Sequence, residues 1–289
     1  TTRNYNVISV ARHNPLRMLH TIRNSDVLIL GGGSLLQDVT GQGLTAFYYL
    51  LFMFFAKFFK KKVVFLAQGV GPIRRSFTRK LAAFILNRMD FISVRENESK
   101  RFLRGIGVKG KINLIPDPVL LAHILPATAQ ARQYLGISLR PGFFPNLALL
   151  AEQLDRVISA LNLKIIFFSF QKNADDVVIQ KVRLVMKQAE HTSVCPADAP
   201  MEEIIEKIGS CQIFVGTRLH SLVFAAKKKI PFLGLNYDPK IGAFCTTLGM
   251  PYLNLFEVEY LTESIQGLWD RKEQLLKILK RKMDAWQKL

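Results

Sequence analysis

The stretch CQIFVGTRLHSLVFAAKKKIPFLGLNY, residues 211–237, decides the fold. Its first part, CQIFVGTR (211–218), is a short apolar run of the kind that forms a buried strand. LHSLVFAAKKK (219–229) reads as a helix, and PFLGLNY (231–237) as a second buried strand. Strand, helix and strand in immediate succession make a βαβ unit, which requires the two strands to run parallel.

The same alternation extends in both directions. DVLILGGG (26–33), VVFLAQGVGP (63–72), FISVRE (91–96) and INLIPDP (112–118) read as strands, with helices at 44–59, 77–89 and 98–107. A Pro/Ala-rich connection (125–131) follows, and the pattern restarts. YLGISLRP (134–141) and LKIIFFSFQ (163–171) are strands; 147–161, 174–189 and 201–208 are helices; the final 20 residues form a basic amphipathic helix. The expectation is an α/β protein with two Rossmann-like domains facing a cleft, spanning 1–130 and 131–289.

Composition narrows the partners. The chain has 289 residues, 49% hydrophobic and 21% charged, enough for a substantial core and too apolar for disorder. Forty Lys and Arg against 22 Asp and Glu give a formal charge of +18. That balance points to nucleic acid, anionic lipid or a phosphorylated small molecule. Cys195, Cys211 and Cys245 lack CxxC spacing, which argues against a disulfide framework or a zinc site and fits a reducing compartment. No signal segment follows Thr1, and the chain reads as beginning inside a fold, with some N-terminal sequence absent. Residues 44–62, LTAFYYLLFMFFAKFFKKK, are too short for a spanning helix. They read either as a helix buried between two strands or as one lying in a membrane interface with its lysines on anionic headgroups.

In open parallel sheets, ligands sit beyond the carboxyl ends of the strands. That rule selects short segments. Gly31, Gly32 and Gly33, followed by Ser34, Gln37 and Asp38, form either a plain tight turn or a backbone cradle for an anion. AQGVGP (67–72) contributes Gln68, and VRENES (94–99) contributes Arg95, placed either for a surface ion pair or for gripping a carboxylate or phosphate. Asp117 ends the fourth strand, and Arg140 ends SLRP. Gly216, Arg218, His220 and Ser221 surround the start of a helix whose dipole favours anions. Asp238 and Lys240 lie in NYDPK (236–240), beyond the next strand. The set is rich in Arg, Lys, His and Gly and poor in paired carboxylates. No HExxH, GxSxG or metal cluster occurs, so the expected chemistry is activation of a small phosphate-bearing anion without a metal or other cofactor.

Six segments together resemble the polysaccharide pyruvyl transferase family, and within it the secondary cell-wall branch. They are GGGSLLQDVT (31–40), AQGVGP (67–72), SVRENES (93–99), PDPVL (116–120), GTRLHSLVFAA (216–226) and NYDPKIGAF (236–244). The resemblance implies a glycosyltransferase-B-type arrangement and transfer of pyruvate from phosphoenolpyruvate to a sugar as a ketal. It implies an acceptor of N-acetylmannosamine in a lipid-linked diphosphate glycan precursor. The polymer would anchor surface-layer proteins, and the enzyme would be peripheral at the cytoplasmic face of a bacterial membrane. Arg95, His220 and Lys240 match positions implicated in donor binding or catalysis; Arg218, Gly216 and Ser221 go with them, and Arg12 is a weaker match. Gly31, Gly32, Gly33, Ser34, Gln37, Asp38, Gln68 and Asp117 are left for the cleft and the acceptor, with Asp38 or Asp117 as proton acceptor. The chain departs from the family in lacking an initial glycine-rich segment, in carrying Glu96 where Asp is common, and in a short RPGFFPN (140–146).

His220 could donate a proton or steady the departing phosphate, since an imidazole titrates near neutrality. The +18 charge and the terminal Lys277, Lys280, Arg281 and Lys282 suit an anionic membrane. A nucleotide-sugar glycosyltransferase of the same architecture is the second reading. Specific nucleic-acid binding is disfavoured, because no recognition module accompanies the charge.

Overall fold

A computed structural model of the chain describes residues 7–11, 13–38, 44–121 and 133–287. The chain divides into two compact units, Thr1–Pro118 and Val119–Leu289, each with its own parallel sheet.

The first unit runs α1 (Pro15–Arg23), β1 (Val27–Gly31), α2 (Leu44–Phe58), β2 (Lys62–Gln68), α3 (Ser76–Leu86), β3 (Phe91–Val94), α4 (Asn97–Gly105) and β4 (Asn113–Leu114). Its strands lie in chain order, β1-β2-β3-β4. Every pairing is parallel because a helix returns the chain to the same edge each time. Phe65, Val63, Val94, Leu50, Met53 and Leu86 fill the core between sheet and helices. Asp90 ties the layers together. Its Oδ2 accepts from the Val63 amide at 2.7 Å and from Lys57 Nζ at 2.8 Å, joining the end of α2 to the start of β2. Burial opposes the charged carboxylate, but these two donors outweigh it and hold the Asp90 pKa below its ordinary value.

After the short helix α5 (Pro118–Leu121) comes the second unit's sheet. It contains β5 (Tyr134–Ser138), α6 (Leu147–Leu161), β6 (Lys164–Phe168), α7 (Asp175–Val185), β7 (Thr192–Cys195), α8 (Met201–Gly209), β8 (Cys211–Gly216), α9 (Leu219–Lys227), β9 (Phe232–Asn236), α10 (Pro239–Leu248) and β10 (Tyr252–Asn254). Two helices close the chain, α11 (Leu261–Asp270) and α12 (Lys272–Gln287). The strand order is β10-β9-β8-β5-β6-β7. From β5 the chain moves outward through β6 and β7, then returns to the other side of β5 and moves outward again. This is the doubly wound order, and it reverses between β5 and β8.

Helix ends follow local chemistry. Asn146 caps α6 by accepting from the Leu149 amide at 2.9 Å, and Asn162 stops it in the left-handed conformation, so the helix spans residues 147–161 as its sequence predicts. Elsewhere the structure differs. The helix expected over 174–189 ends at Val185, where Met186 turns extended. The terminal basic helix does not begin at residue 270; α11 ends at Asp270 and α12 starts at Lys272. Among the described residues no helix is long and apolar enough to cross a membrane.

Candidate active site

The reversal of strand order picks out one place in the second unit. Where neighbouring strands send their connections to opposite sides, their carboxyl ends leave a crevice. That crevice lies at the ends of β5 and β8, beside Ser138–Arg140 and Gly216–Arg218. The Thr217 amide and Thr217 Oγ1 both donate to the Ser138 carbonyl, at 3.0 and 3.1 Å, which pins the two strand ends together.

Gly216 is required by space. A Cβ there would lie 2.6 Å from Ser221 Oγ and 3.0 Å from Leu222 Cδ2. Ser221 is fully buried and donates to the Arg218 carbonyl at 2.6 Å, closing the first turn of α9. Both residues therefore shape the site; neither offers a free polar group to a ligand. Arg218 is the N-cap of α9, and Asp175 holds its guanidinium. Arg218 Nε donates to Asp175 Oδ2 at 3.0 Å, and Nη2 reaches Asp175 Oδ1 and, at 2.9 Å, Gln171 Oε1. Asp175 is fully buried and also accepts from the Phe170 and Gln171 amides, at 3.0 and 3.1 Å. The arginine is thereby fixed while Nη1 takes no part in the clamp. His220 is exposed in the first turn of α9.

Lys240 occupies the equivalent place one strand along. Asp238 caps α10 by accepting from the Lys240 amide at 3.0 Å, and Pro239 opens the helix. Two helix N-termini, each bearing a basic or titratable side chain, thus follow the adjacent strands β8 and β9. Arg140 reaches across the end of β8: its Nη1 donates to Tyr237 Oη, and its guanidinium carbon lies 5.2 and 5.0 Å from the Phe143 and Tyr237 rings. Ser138 Oγ and Ser169 Oγ, at the end of β5 and just beyond β6, are buried with no hydrogen-bond partner among the described residues.

The first unit gathers its own group. Arg95 is only 7% exposed and is held by carboxylates: Nη1 donates to Asp117 Oδ2 at 2.9 Å and Nε to Glu96 Oε2 at 3.3 Å. Its Nη2 donates to Ser34 Oγ at 3.3 Å. Glu96, noted from sequence only as a departure, is thus part of the cluster, and its Oε1 accepts from Ser99 Oγ at 2.9 Å. Gly69 permits this packing, since a Cβ there would lie 2.8 Å from Ser34 Oγ and 3.1 Å from Arg95 Nη2. Gln68 braces the glycine turn: Nε2 donates to the Gly32 and Leu30 carbonyls at 2.6 and 3.1 Å. Gly32 and Gly33 have φ of 64° and 85°, the left-handed region that glycine tolerates; Gly31 closes β1. Gln37 is half-buried beside the turn.

Asp38 is a clasp. Its carboxylate accepts from the Arg74 amide at 2.7 Å and the Arg75 amide at 2.9 Å, tying the turn to the approach to α3. Burial pushes its pKa up, but the amide bonds and the two arginine charges win and hold it below the usual range. A carboxylate so stabilised is a poor proton acceptor. Arg12 lies outside the described residues. Among the described residues no group of three His, Cys, Asp or Glu is placed to hold a metal.

Sequence reading found the arginines, named Asp117 for the cleft and Glu96 only as a departure, and missed Asp175. Asp175 looks like an ordinary first-turn acid of α7, and only the strand order brings it to Arg218. A depression of about 680 Å³ between α6 and α7, lined by Glu152, Arg156, Ser159 and Lys187, contains none of the strand-end residues.

Solved structures with the same fold include a glycosyltransferase from Rickettsia africae (TM-score 0.59, 11% identity, covering 96% of this chain and 78% of that one). A UDP-GlcNAc 2-epimerase from Methanocaldococcus jannaschii matches at TM-score 0.56 and 16% identity, over 91% and 76% of the two chains. A UDP-forming trehalose-phosphate synthase from Burkholderia xenovorans matches at TM-score 0.55 and 9% identity, over 97% and 78%. At such identities the likeness shows the fold alone, that of glycosyltransferase-B-type proteins. The family model for polysaccharide pyruvyl transferase matches residues 2–239, most of the chain. Both glycine turns and both arginine clusters fall within that match, and the chain belongs to the polysaccharide pyruvyl transferase family, enzymes that transfer pyruvate to polysaccharide.

Proposed function

We propose that the chain transfers pyruvate from phosphoenolpyruvate to two hydroxyls of one sugar, forming a cyclic ketal across O4 and O6 and releasing phosphate. The proposed acceptor is N-acetylmannosamine in a lipid-linked diphosphate precursor of a bacterial secondary cell-wall glycan, met at the cytoplasmic face. The observation that carries the reading is the seat at the end of β8. There a buried Asp175 fixes Arg218 at the N-terminus of α9, with His220 exposed in the same turn. A helix N-terminus, an oriented guanidinium and the Lys240 helix start beside it suit a dianionic phosphate.

In the proposed reaction a proton adds to C3 of phosphoenolpyruvate, leaving C2 electrophilic. One sugar hydroxyl bonds to C2 and the C2–O bond to phosphate breaks. The second hydroxyl then bonds to C2. The two hydroxyl protons balance the one gained at C3 and the one gained by phosphate. His220 serves as the proton carrier to C3 or to phosphate, while Arg218 and Lys240 neutralise the leaving group. Arg95 is assigned to positioning, since its guanidinium is held by Asp117, Glu96 and Ser34.

The test is phosphate release from phosphoenolpyruvate with and without an acceptor containing N-acetylmannosamine, in wild type and His220→Ala. Acceptor-dependent release that His220→Ala loses while remaining folded supports the reading. No release with any hydroxyl acceptor, together with thermal stabilisation by a nucleotide sugar and not by phosphoenolpyruvate, would replace it with nucleotide-sugar transfer.

A further inference from the structure

From Leu44 to Met89 the chain carries no Asp or Glu across 46 residues, yet has nine Lys and Arg. This segment contains α2 and α3, which pack side by side on the first unit's sheet. The buried face of α2 is Ala46, Leu50, Phe52, Met53 and Ala56. The opposite face is also apolar: Leu44, Phe47, Leu51, Phe54 and Phe58 are 39% to 69% exposed. Their 3- and 4-residue spacing puts them in one stripe along the helix, roughly 21 Å long. On α3, Phe77 and Phe84 are 69% and 48% exposed, with exposed Lys80 between them in sequence. The Arg88 guanidinium lies 3.6 Å over the Phe84 ring. Lys60 and Lys62 stand exposed just beyond the end of the α2 stripe, and Arg74, Arg75 and Arg79 stand exposed at the start of α3.

A soluble surface seldom leaves so long an apolar stripe uncovered. Of the two sequence readings of residues 44–62, burial accounts for one face of α2 only. We infer that the outward faces of α2 and α3 form a docking surface for an anionic phospholipid bilayer, with the helices lying in the plane of the interface. Charge decides the occupant. A second copy seated on this face would bring its cations against an identical acid-free set, whereas anionic headgroups complement it. The phenylalanines and leucines match the acyl boundary, and the flanking lysines and arginines match the headgroups. The inference stands independently of the reaction proposed above.

The experiment is co-sedimentation of the full chain with vesicles of phosphatidylcholine alone, or of phosphatidylcholine and phosphatidylglycerol in equal parts. Three variants accompany it: Phe54→Ser with Phe58→Ser, Lys60→Glu with Lys62→Glu, and, as a charge-matched comparison on α12, Lys280→Glu with Arg281→Glu. Thermal melts confirm that each is folded. The wild type is expected to bind the anionic vesicles and not the neutral ones. Each α2 pair should weaken binding by at least about tenfold, since each cation near an anionic surface counts for about fivefold. The α12 pair, whose charges in the sequence also suit an anionic membrane, should leave it within about twofold, because the inference assigns the contact to α2 and α3. Failure to bind anionic vesicles overturns the inference. So does an α12 effect equal to that of the lysine pair, which would mean general charge attraction. Unchanged binding by the phenylalanine pair would also overturn it. Self-association lost in the phenylalanine pair, without vesicle binding by the wild type, would assign the face to a second copy instead.

Discussion

Replacing Asp175 by Asn tests the clamp on Arg218 most directly. The carboxylate accepts four hydrogen bonds, two from the Phe170 and Gln171 amides and two from the guanidinium, and is fully buried. Asn keeps the shape but presents an NH2 group toward donors and leaves the guanidinium without its counter-charge. Breaking a buried pair from one side costs about 3–5 kcal/mol. The Arg218 side chain is 18% exposed and can regain some water, which places the expected loss near the lower bound, about 3 kcal/mol. In a unit spanning Val119–Leu289, that corresponds to a Tm lower by roughly 6–12 °C. Both tryptophans, Trp269 and Trp286, lie in this unit, so intrinsic tryptophan fluorescence follows its unfolding separately from the other. The coupled variant sharpens the test. Asp175→Asn combined with Arg218→Met removes the stranded charge, so the pair should cost at least about 1 kcal/mol less than the sum of the singles. The reasoning is refuted if Asp175→Asn melts within about 2 °C of wild type, a shift of under 1 kcal/mol, or if the two losses simply add.

Gly69→Ala should disturb the Arg95 cluster, because its Cβ meets Ser34 Oγ and Arg95 Nη2; transferase activity is expected to fall more than about tenfold while overpacking lowers stability by about 1–3 kcal/mol. Full activity in Gly69→Ala would remove the cluster from the working site. The lowered pKa of Asp90 means its contribution is complete above the unfolded carboxylate value, about 3.9, and is lost as pH falls through the lower folded value. The Tm gap between wild type and Asp90→Asn should therefore hold steady from neutral pH down to about 5 and close in stronger acid; a gap that widens in acid contradicts this. Ser169→Ala deletes a buried hydroxyl that has no partner among the described residues, and its Tm should be unchanged or higher, whereas a fall of roughly 4 °C or more would show that the hydroxyl is bonded.

How far the sequence carries can be read from individual elements. The βαβ alternation was legible because strand runs are short and apolar and glycine turns separate them from helices. Helix α10 was hidden by NYDPK: Asp238 reads there as a strand-end charge, while in the structure it caps the helix that Pro239 opens. Strand β7, TSVC, is too short and too polar for its period to show. The arginines of the site stood out as charges at the ends of apolar runs. Asp117 stood out in the same way and Glu96 only as a departure from the family pattern, but nothing in the sequence joined either to Arg95; Asp175 stayed hidden, because an acid in the first turn of a helix has an ordinary explanation. Strand order is a long-range property without a local signal, so the crevice between β5 and β8 could be expected in kind but not in place.

The clamp at Arg218 also constrains descent. Positions 175 and 218 lie 43 residues apart on different βα connections, yet neither can change alone without stranding a buried charge. Drift at either site must pass through a destabilised intermediate or find a compensating change at the other. Among relatives of this chain the two positions should therefore be inherited as a pair, retained together or replaced together, even where the intervening sequence diverges freely.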